Sequence, residues 1–243
     1  MRRAVPLFLF ACPVFVAAAD PADDRAKLQG VWHSVAGAKQ PVRVLVMGDK
    51  IGYAVGDATA TPAVPGSAFV SLTEATVAKG VAELVITKDY TRKLGYRIEK
   101  DGVVVTLDDK EYPLRRVNTR ATDPAAKELA GTWTLTGAEV KGVKLTPAMS
   151  GIESLTIVGD RYVVKAPGGK ELLSSFYRLG DAKAGRADLD IFGMKADPSI
   201  AARLEVKGDE LLFAQPLKPG GPRPTGFDSG AAEVLVLRAT RAK

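Results

Sequence analysis

Few side chains in this sequence are suited to nucleophilic or metal-dependent chemistry. The 243 residues include one histidine, His33, and one cysteine, Cys12. A zinc site needs several Cys, His or acidic ligands, so these two residues do not indicate one. The Gly-x-Ser-x-Gly pattern of many serine hydrolases does not occur either. The residue types therefore predict a protein that is not an enzyme, with no catalytic residue, no bound metal and no cofactor.

Three acidic residues lie close together in the second half of the chain: Asp181, Asp188 and Asp190. Their spacing does not match the alternating acidic positions of an EF-hand calcium loop. Basic residues also stand among them and would oppose a cation. We interpret this stretch as a turn that leads into a strand over 189–192.

An internal repeat in the sequence indicates the helices and strands that hold these residues. The sequence Leu-x-Gly-x-Trp occurs at 28–32 and again at 129–133, and it contains both tryptophans of the chain. Asp-Pro-Ala precedes each copy, which favours a short helix because Asp caps free N–H groups and Pro tolerates the first helical position. Apolar stretches separated by Gly, Asp and Pro follow each copy, a pattern typical of short antiparallel strands. We predict two all-β domains, at 26–118 and 127–241, joined by a linker at 119–126.

The repeated motif resembles the lipocalin-type barrel, in which Gly-x-Trp lies on the first strand and an arginine on the last. The second copy also has Gly-Asp-Arg-Tyr at 159–162 and Arg-Pro-Thr-Gly-Phe at 223–227. With these segments it is more closely similar to an uncharacterised lipocalin-like domain that recurs in exported planctomycete proteins. This resemblance covers nearly all of 127–241 and is weaker over 26–118, which we interpret as a divergent copy. It implies two tandem lipocalin-like antiparallel β-barrels, each opened by a short helix, and it implies no activity.

A structural role for the motif is expected in each barrel. The glycines, Gly30 and Gly131, leave room for a neighbouring group, and the tryptophans, Trp32 and Trp133, close one barrel end. An arginine of the last strand can lie across each indole ring as a cation–π contact. The candidates are Arg115 or Arg116 for Trp32, and Arg238 for Trp133.

The segment 215–230 is rich in proline and glycine. Proline cannot donate a hydrogen bond within a sheet, so this segment is predicted to be a loop between the last two strands. Long ordered loops often carry function, and this one can reach across a barrel mouth. We treat it as a candidate binding loop, with the following contact residues: Phe213, Arg223, Pro224 and Phe227. The alternative is that Phe227 only anchors the loop against one barrel end.

The N-terminus has the three parts of a secretory signal. Two arginines precede an uncharged apolar run, and Ala17-Ala18-Ala19 offers a cleavage site, so we predict a signal peptide at 1–19. The run is too short to span a membrane, and export to the periplasm or the extracellular space is expected. A lipid anchor at Cys12 is the alternative, although Phe10 is bulky for a lipoprotein signal.

The remaining question is whether the protein binds a ligand or has a purely structural role. The net charge of +6 is spread over mixed acidic and basic residues, so no nucleic-acid partner is predicted. Small barrels hold apolar ligands inside or partners on their rims. The first hypothesis is a non-catalytic binding module for a small molecule or a cell-envelope component. The alternatives are a structural envelope protein with filled barrels, and, less favoured, a hydrolase with an unmarked site.

Overall fold

The computed structural model describes most of the chain beyond the predicted signal peptide. The described residues are 21–35, 38, 40–48, 50–56, 69–71, 81–87, 90–107, 109–120, 122–183, 185–192, 198–230 and 233–242. The predicted signal peptide at 1–19, including Cys12, lies outside the described residues.

The first half of the chain forms a closed antiparallel barrel, here called the first sheet. A short helix, α1 (Pro21–Leu28), precedes it. The strands pair in chain order, and the last pairs with the first through Trp32 and Arg116. They are β1 (Gly30–Ser34), β2 (Val42–Met47), β3 (Lys50–Val55), β4 (Phe69–Ser71), β5 (Val81–Thr87), β6 (Tyr90–Glu99), β7 (Gly102–Leu107) and β8 (Lys110–Arg116).

The second half forms a nine-stranded antiparallel sheet, here called the second sheet, whose last strand also pairs with its first long strand. Two short helices belong to it, α2 (Pro124–Leu129) and α3 (Pro147–Ser150). The strands are β9 (Gly131–Val140), β10 (Val143–Leu145), β11 (Ser154–Val158), β12 (Arg161–Lys165), β13 (Glu171–Lys183), β14 (Arg186–Phe192), β15 (Pro198–Lys207), β16 (Glu210–Pro216) and β17 (Val234–Arg241). The prediction of an all-β protein is confirmed.

Side chains of the second sheet alternate between an apolar interior and a polar exterior. On β14, Ala187, Leu189 and Ile191 belong to the interior core, and the residues between them face outward. The interior also holds large aromatic side chains, among which Tyr162 stacks on Phe213 with ring centroids 5.7 Å apart. This alternation decides which residues are available at the surface.

The strand β14 begins earlier than the sequence indicated. Asp188 and Asp190 lie within it and pair with Arg203 and Ala201 of β15, whereas we had placed the start of the strand at residue 189. The interpretation of Asp188 as a turn residue is therefore wrong. The polar residues at alternate positions are the outward face of a strand.

The two sheets contact each other through their outer faces. Val31 of β1 and Leu45 of β2 pack against Phe176 of β13 and Phe192 of β14, and all four side chains are buried. His33 adds an edge-to-face contact with Phe192, with ring centroids 6.4 Å apart. His33 follows Trp32 on β1 and therefore lies on the opposite, outer face of that strand.

The corresponding positions of the second sheet have different side chains. Val31 pairs with Leu45 across β1 and β2. The equivalent pair of β9 and β11 consists of Thr132 and Thr156, whose hydroxyl oxygens are 3.2 Å apart.

Polar contacts fix the chain where it passes from one sheet to the other. The Thr119 amide donates to the carbonyl of Tyr177 at 2.9 Å, and the Leu179 amide donates to the Thr119 hydroxyl at 2.7 Å. The carboxylate of Asp160 accepts hydrogen bonds from Arg116 and Asn118, each at 3.4 Å. The start of the predicted linker at 119–126 is thus bonded to the second sheet.

Candidate functional site

Each sheet contains a tryptophan whose indole N–H is bonded to the preceding helix. Trp32 Nε1 donates to the carbonyl of Leu28 at 2.8 Å, and Trp133 Nε1 donates to the carbonyl of Leu129 at 3.0 Å. These leucines end α1 and α2, so the indoles satisfy carbonyls that a helix C-terminus leaves unpaired. Exposure of the two tryptophans is 7% and 0%, respectively.

An arginine of the last strand covers the Trp32 ring in the first sheet. The guanidinium carbon of Arg116 lies 4.9 Å from the ring centroid. Arg116 also donates to the carbonyls of Lys27, at 3.4 Å, and Gln29. Arg115, the other candidate, points away and donates to the carbonyl of Asp101 at 2.6 Å.

In the second sheet this role belongs to Arg241. Its guanidinium carbon lies 4.2 Å from the centroid of the Trp133 ring. It donates to the carbonyls of Ala130 at 2.5 Å and Glu128 at 3.0 Å. The assignment of this role to Arg238 is wrong, because Arg238 is exposed on the outer face of β17.

The glycine of each motif makes room for the arginine. A Cβ at Gly30 would lie 3.0 Å from Cζ of Arg116, and one at Gly131 would lie 2.9 Å from Nη1 of Arg241. Both glycines have positive φ, +140° and +129°, a region that other residues rarely adopt. In each sheet, the Gly, Trp and Arg of the motif therefore pack against one another, and the Trp and Arg donate hydrogen bonds to carbonyls at the end of the preceding helix.

The candidate binding loop lies against the outer face of the second sheet. It connects β16 with β17. Phe227 packs on Ala214, Val234 and Val236 on the outer face of the second sheet, whereas Phe213 is in the interior. The structure does not bring the two phenylalanines together, and the contacts of Phe227 are with the outer face.

Arg223 joins this loop to β14 and β15. Its Nη1 donates to the carbonyl of Ala202 at 2.5 Å and to that of Leu189 at 3.2 Å, and its Nη2 donates to Asp190 at 2.5 Å. Its Nε also lies 3.4 Å from Asp188. Pro224, the next residue, is buried. One side chain thus fixes the loop by four polar contacts.

Further ion pairs surround Arg223 on the same outer face. Arg203 contacts Asp188 at 3.1 Å, and Arg186 contacts Glu205 at 2.7 Å. The hydrogen bond from Arg186 is the main reason that the pKa of the Glu205 carboxyl is lower than usual. We call this group the outer ion-pair network; it consists of Arg178, Arg186, Asp188, Asp190, Arg203, Glu205, Lys207 and Arg223.

A cleft opens between this network and the loop, and we call it the outer cleft. Its volume is about 460 Å³, and it is lined by Arg186, Ala187, Asp188, Arg203, Thr225, Gly226 and Phe227. The volume lies in the range of small-molecule sites. The outer cleft is the candidate functional site.

Sequence reasoning found one wall of the outer cleft and missed the other. Phe227 and the loop were singled out by their composition, but Arg186 and Arg203 were not. The available signal was the alternation of charged and apolar residues over 186–190, which predicts a charged outer face of a strand. It did not indicate which residues face that strand across the sheet.

Comparison with models of known protein families finds no match, and a search of curated proteins finds no similar sequence. The resemblance to lipocalin-like domains therefore rests on the residues named above. Within the described ranges, no group of three or more His, Cys, Asp or Glu side chains is placed to hold a metal ion. In the same part of the chain, no helix has the length and apolar character needed to cross a membrane.

Proposed function

We propose that this chain is an exported binding module made of two tandem lipocalin-like barrels, and that it binds its ligand in the outer cleft. The observation that carries the proposal is the fixed loop beside an open cleft. A loop that is already held in place loses little conformational entropy when a ligand binds. The four polar contacts of Arg223 provide this restraint.

The interior of the second sheet is a less suitable site. Large aromatic and aliphatic side chains occupy it, including Trp133, Tyr162, Tyr177 and Phe213, each no more than 2% exposed. An apolar ligand there would have to displace well-packed side chains, which is costly because protein interiors are close-packed. The same observation favours the second candidate function, a structural envelope protein without a ligand.

Filling the outer cleft separates the two candidates. A Cβ at Gly226 would have no atom within 4 Å, so Gly226→Phe adds a ring to the cleft without a backbone clash. The matched control is Pro222→Phe, which adds the same ring at an exposed position of the same loop. The immobilised full chain and both variants are exposed to an envelope extract, and the retained compounds are identified by mass spectrometry.

The binding proposal predicts that the wild type and Pro222→Phe retain the same compound and that Gly226→Phe loses it, with all three melting at the same temperature. Equal retention by Gly226→Phe would show that the outer cleft is not the site. If none of the three chains retains a compound, the binding proposal fails and the structural alternative stands.

A further inference from the structure

We infer that the outer cleft recognises a ligand in which an oxyanion, either a carboxylate or a phosphate, is joined to an apolar group. This inference rests on the proposed function and names the chemistry of the ligand. Three features of the cleft lead to it: the hydrogen-bond donors that remain unused, the excess of positive charge, and an aromatic wall.

The unused polar atoms of the cleft are mainly donors. Arg186 uses Nε for Glu205, and among the described residues its Nη1 and Nη2 have no hydrogen-bond acceptor. Arg203 uses Nε for Asp188 and Nη1 for the carbonyl of Thr225, which leaves its Nη2 without an acceptor in the described structure. A ligand that completes these bonds must supply acceptors. The planar guanidinium fork matches carboxylate and phosphate oxygens.

The charge of the surrounding network also favours an anion. Five basic side chains, those of Arg178, Arg186, Arg203, Lys207 and Arg223, face three carboxylates in it. Arg203 and Arg223 are 30% and 26% exposed, so their charges are less screened than those of Arg186 and Lys207, which are largely exposed. A cationic ligand would be repelled by the same excess of positive charge.

One donor is held in place before the ligand arrives. Arg203 is fixed at both ends of its guanidinium by Asp188, at 3.1 Å, and by the carbonyl of Thr225, at 2.6 Å. Its side chain is 30% exposed, whereas that of Arg186 is 62% exposed. Arg203 therefore gives a donor fixed at two atoms, and Arg186 gives a more exposed donor that is held only through Nε.

The opposite wall is apolar. Phe227 lines the cleft and is half-buried, with its contacts to Ala214, Val234 and Val236 beneath it. Gly226 beside it has no side chain to cover the ring. The apolar part of a ligand can lie there while its anionic end meets the arginines. An inorganic anion alone would leave this wall unused, so it should bind more weakly.

Small probe compounds test each part of this inference. The ¹⁵N-labelled full chain is titrated at low ionic strength with benzoate, phenyl phosphate, benzamide and acetate, and amide chemical shifts are followed by NMR. We expect saturable shifts with benzoate or phenyl phosphate, centred on Ala187 and 225–227. Benzamide tests the need for charge, acetate tests the need for the apolar group, and the two aromatic anions distinguish the carboxylate from the phosphate.

Variants assign the effect to the cleft. Arg186→Gln should weaken binding about tenfold to a hundredfold, since it removes a charge-assisted hydrogen bond. Arg186 is exposed and Lys207 still pairs with Glu205 in this variant, so we expect the fold to be retained, and the melting temperature checks this. The control is Arg238→Gln, which changes the net charge equally at an exposed site on β17 and should leave the affinity unchanged.

Several results would overturn the inference. They are the absence of saturable shifts with both aromatic anions, equal binding of benzamide, equal binding of acetate, and equal weakening by Arg186→Gln and Arg238→Gln. One further outcome is that the wild type shows none of the expected shifts in these titrations, while Gly226→Phe still loses the envelope compound that the wild type retains. In that case the proposed function would stand, and only the ligand chemistry inferred here would be wrong.

Discussion

The contact of Arg241 with Trp133 should contribute a measurable part of the stability of the second sheet. Arg241→Ala removes the cation–π contact, which contributes about 0.5–2 kcal/mol. The low end of that range applies, because 31% of the arginine side chain is exposed. It also removes the two hydrogen bonds to Glu128 and Ala130, each contributing about 1 kcal/mol in a partly exposed position. We expect a total loss of about 2–4 kcal/mol from the free energy of unfolding.

Equilibrium unfolding in urea, followed by circular dichroism, measures this loss. A shift of the midpoint at constant slope reports a change in stability. Arg241→Lys keeps the charge but loses the planar fork, so its stability should lie between those of the wild type and Arg241→Ala. The control is Arg238→Ala, three positions away on the exposed face, for which a change within about 0.5 kcal/mol is expected.

Equal losses for Arg238→Ala and Arg241→Ala would refute the reasoning. A double-mutant cycle that combines Arg241→Ala with Trp133→Leu tests the ring contact itself. The two changes should be non-additive by about 0.5 kcal/mol or more, because the groups touch. Strict additivity would show that the arginine acts only through its hydrogen bonds to the helix end.

Substitutions at Gly131, Phe192 and Tyr177 test three separate parts of the structure. Gly131→Ala should destabilise the chain by about 1–3 kcal/mol, since a Cβ would crowd Arg241 at a strained φ, whereas Gly226→Ala should leave the melting temperature unchanged. Phe192→Ala should destabilise by about 3–5 kcal/mol and should accelerate amide hydrogen exchange in β1 and β2; unchanged exchange there would contradict the contact between the sheets. Burial raises the pKa of Tyr177 to about 12. The unfolded chain, with a tyrosine pKa of about 10, therefore loses this proton first, and stability should fall as the pH rises from about 10 to 12. Tyr177→Phe should remove that part of the fall, and ionisation of Tyr177 near pH 10 in an ultraviolet titration would count against the prediction.

Local sequence signals were sufficient for many elements of the fold, but they placed the start of β14 too late. The repeated Leu-x-Gly-x-Trp motif and the Gly and Asp turns predicted the opening helices and the short strands on either side of 119–126. These signals act between near neighbours: a proline at the first helical position, a turn, or the alternation of a strand. The expected side-chain cap is not formed at Asp123, whose carboxylate instead accepts a hydrogen bond from the amide of Arg120. The proline- and glycine-rich segment was placed between the last two strands for the same reason.

These local signals could not predict contacts between residues that are distant in the sequence. Choosing Arg241 over Arg238 requires the register of β17, and a bulge after Arg238 shifts its pairing with β9. A shift of one residue moves every side chain to the other face of a strand. The pairing of Arg203 with Asp188 depends in the same way on how β15 aligns with β14. Sequence patterns give the faces of each strand but not the partners across the sheet.

The contact between the two sheets joins unlike surfaces, β1 and β2 on one side and β13 and β14 on the other. Because the two surfaces differ, this head-to-tail contact leaves the second sheet with a surface of the β1–β2 type, to which a further copy could add. The surface that would accept the next copy is the β9–β11 face, where Thr132 and Thr156 replace Val31 and Leu45. The two hydroxyls bond to each other, but that bond uses only one of their two O–H donors, so burying the pair in an apolar contact would remove the other donor from water, which is unfavourable. The threonine pair therefore makes the β9–β11 face less suited to such a contact than the Val31 and Leu45 face of the first sheet.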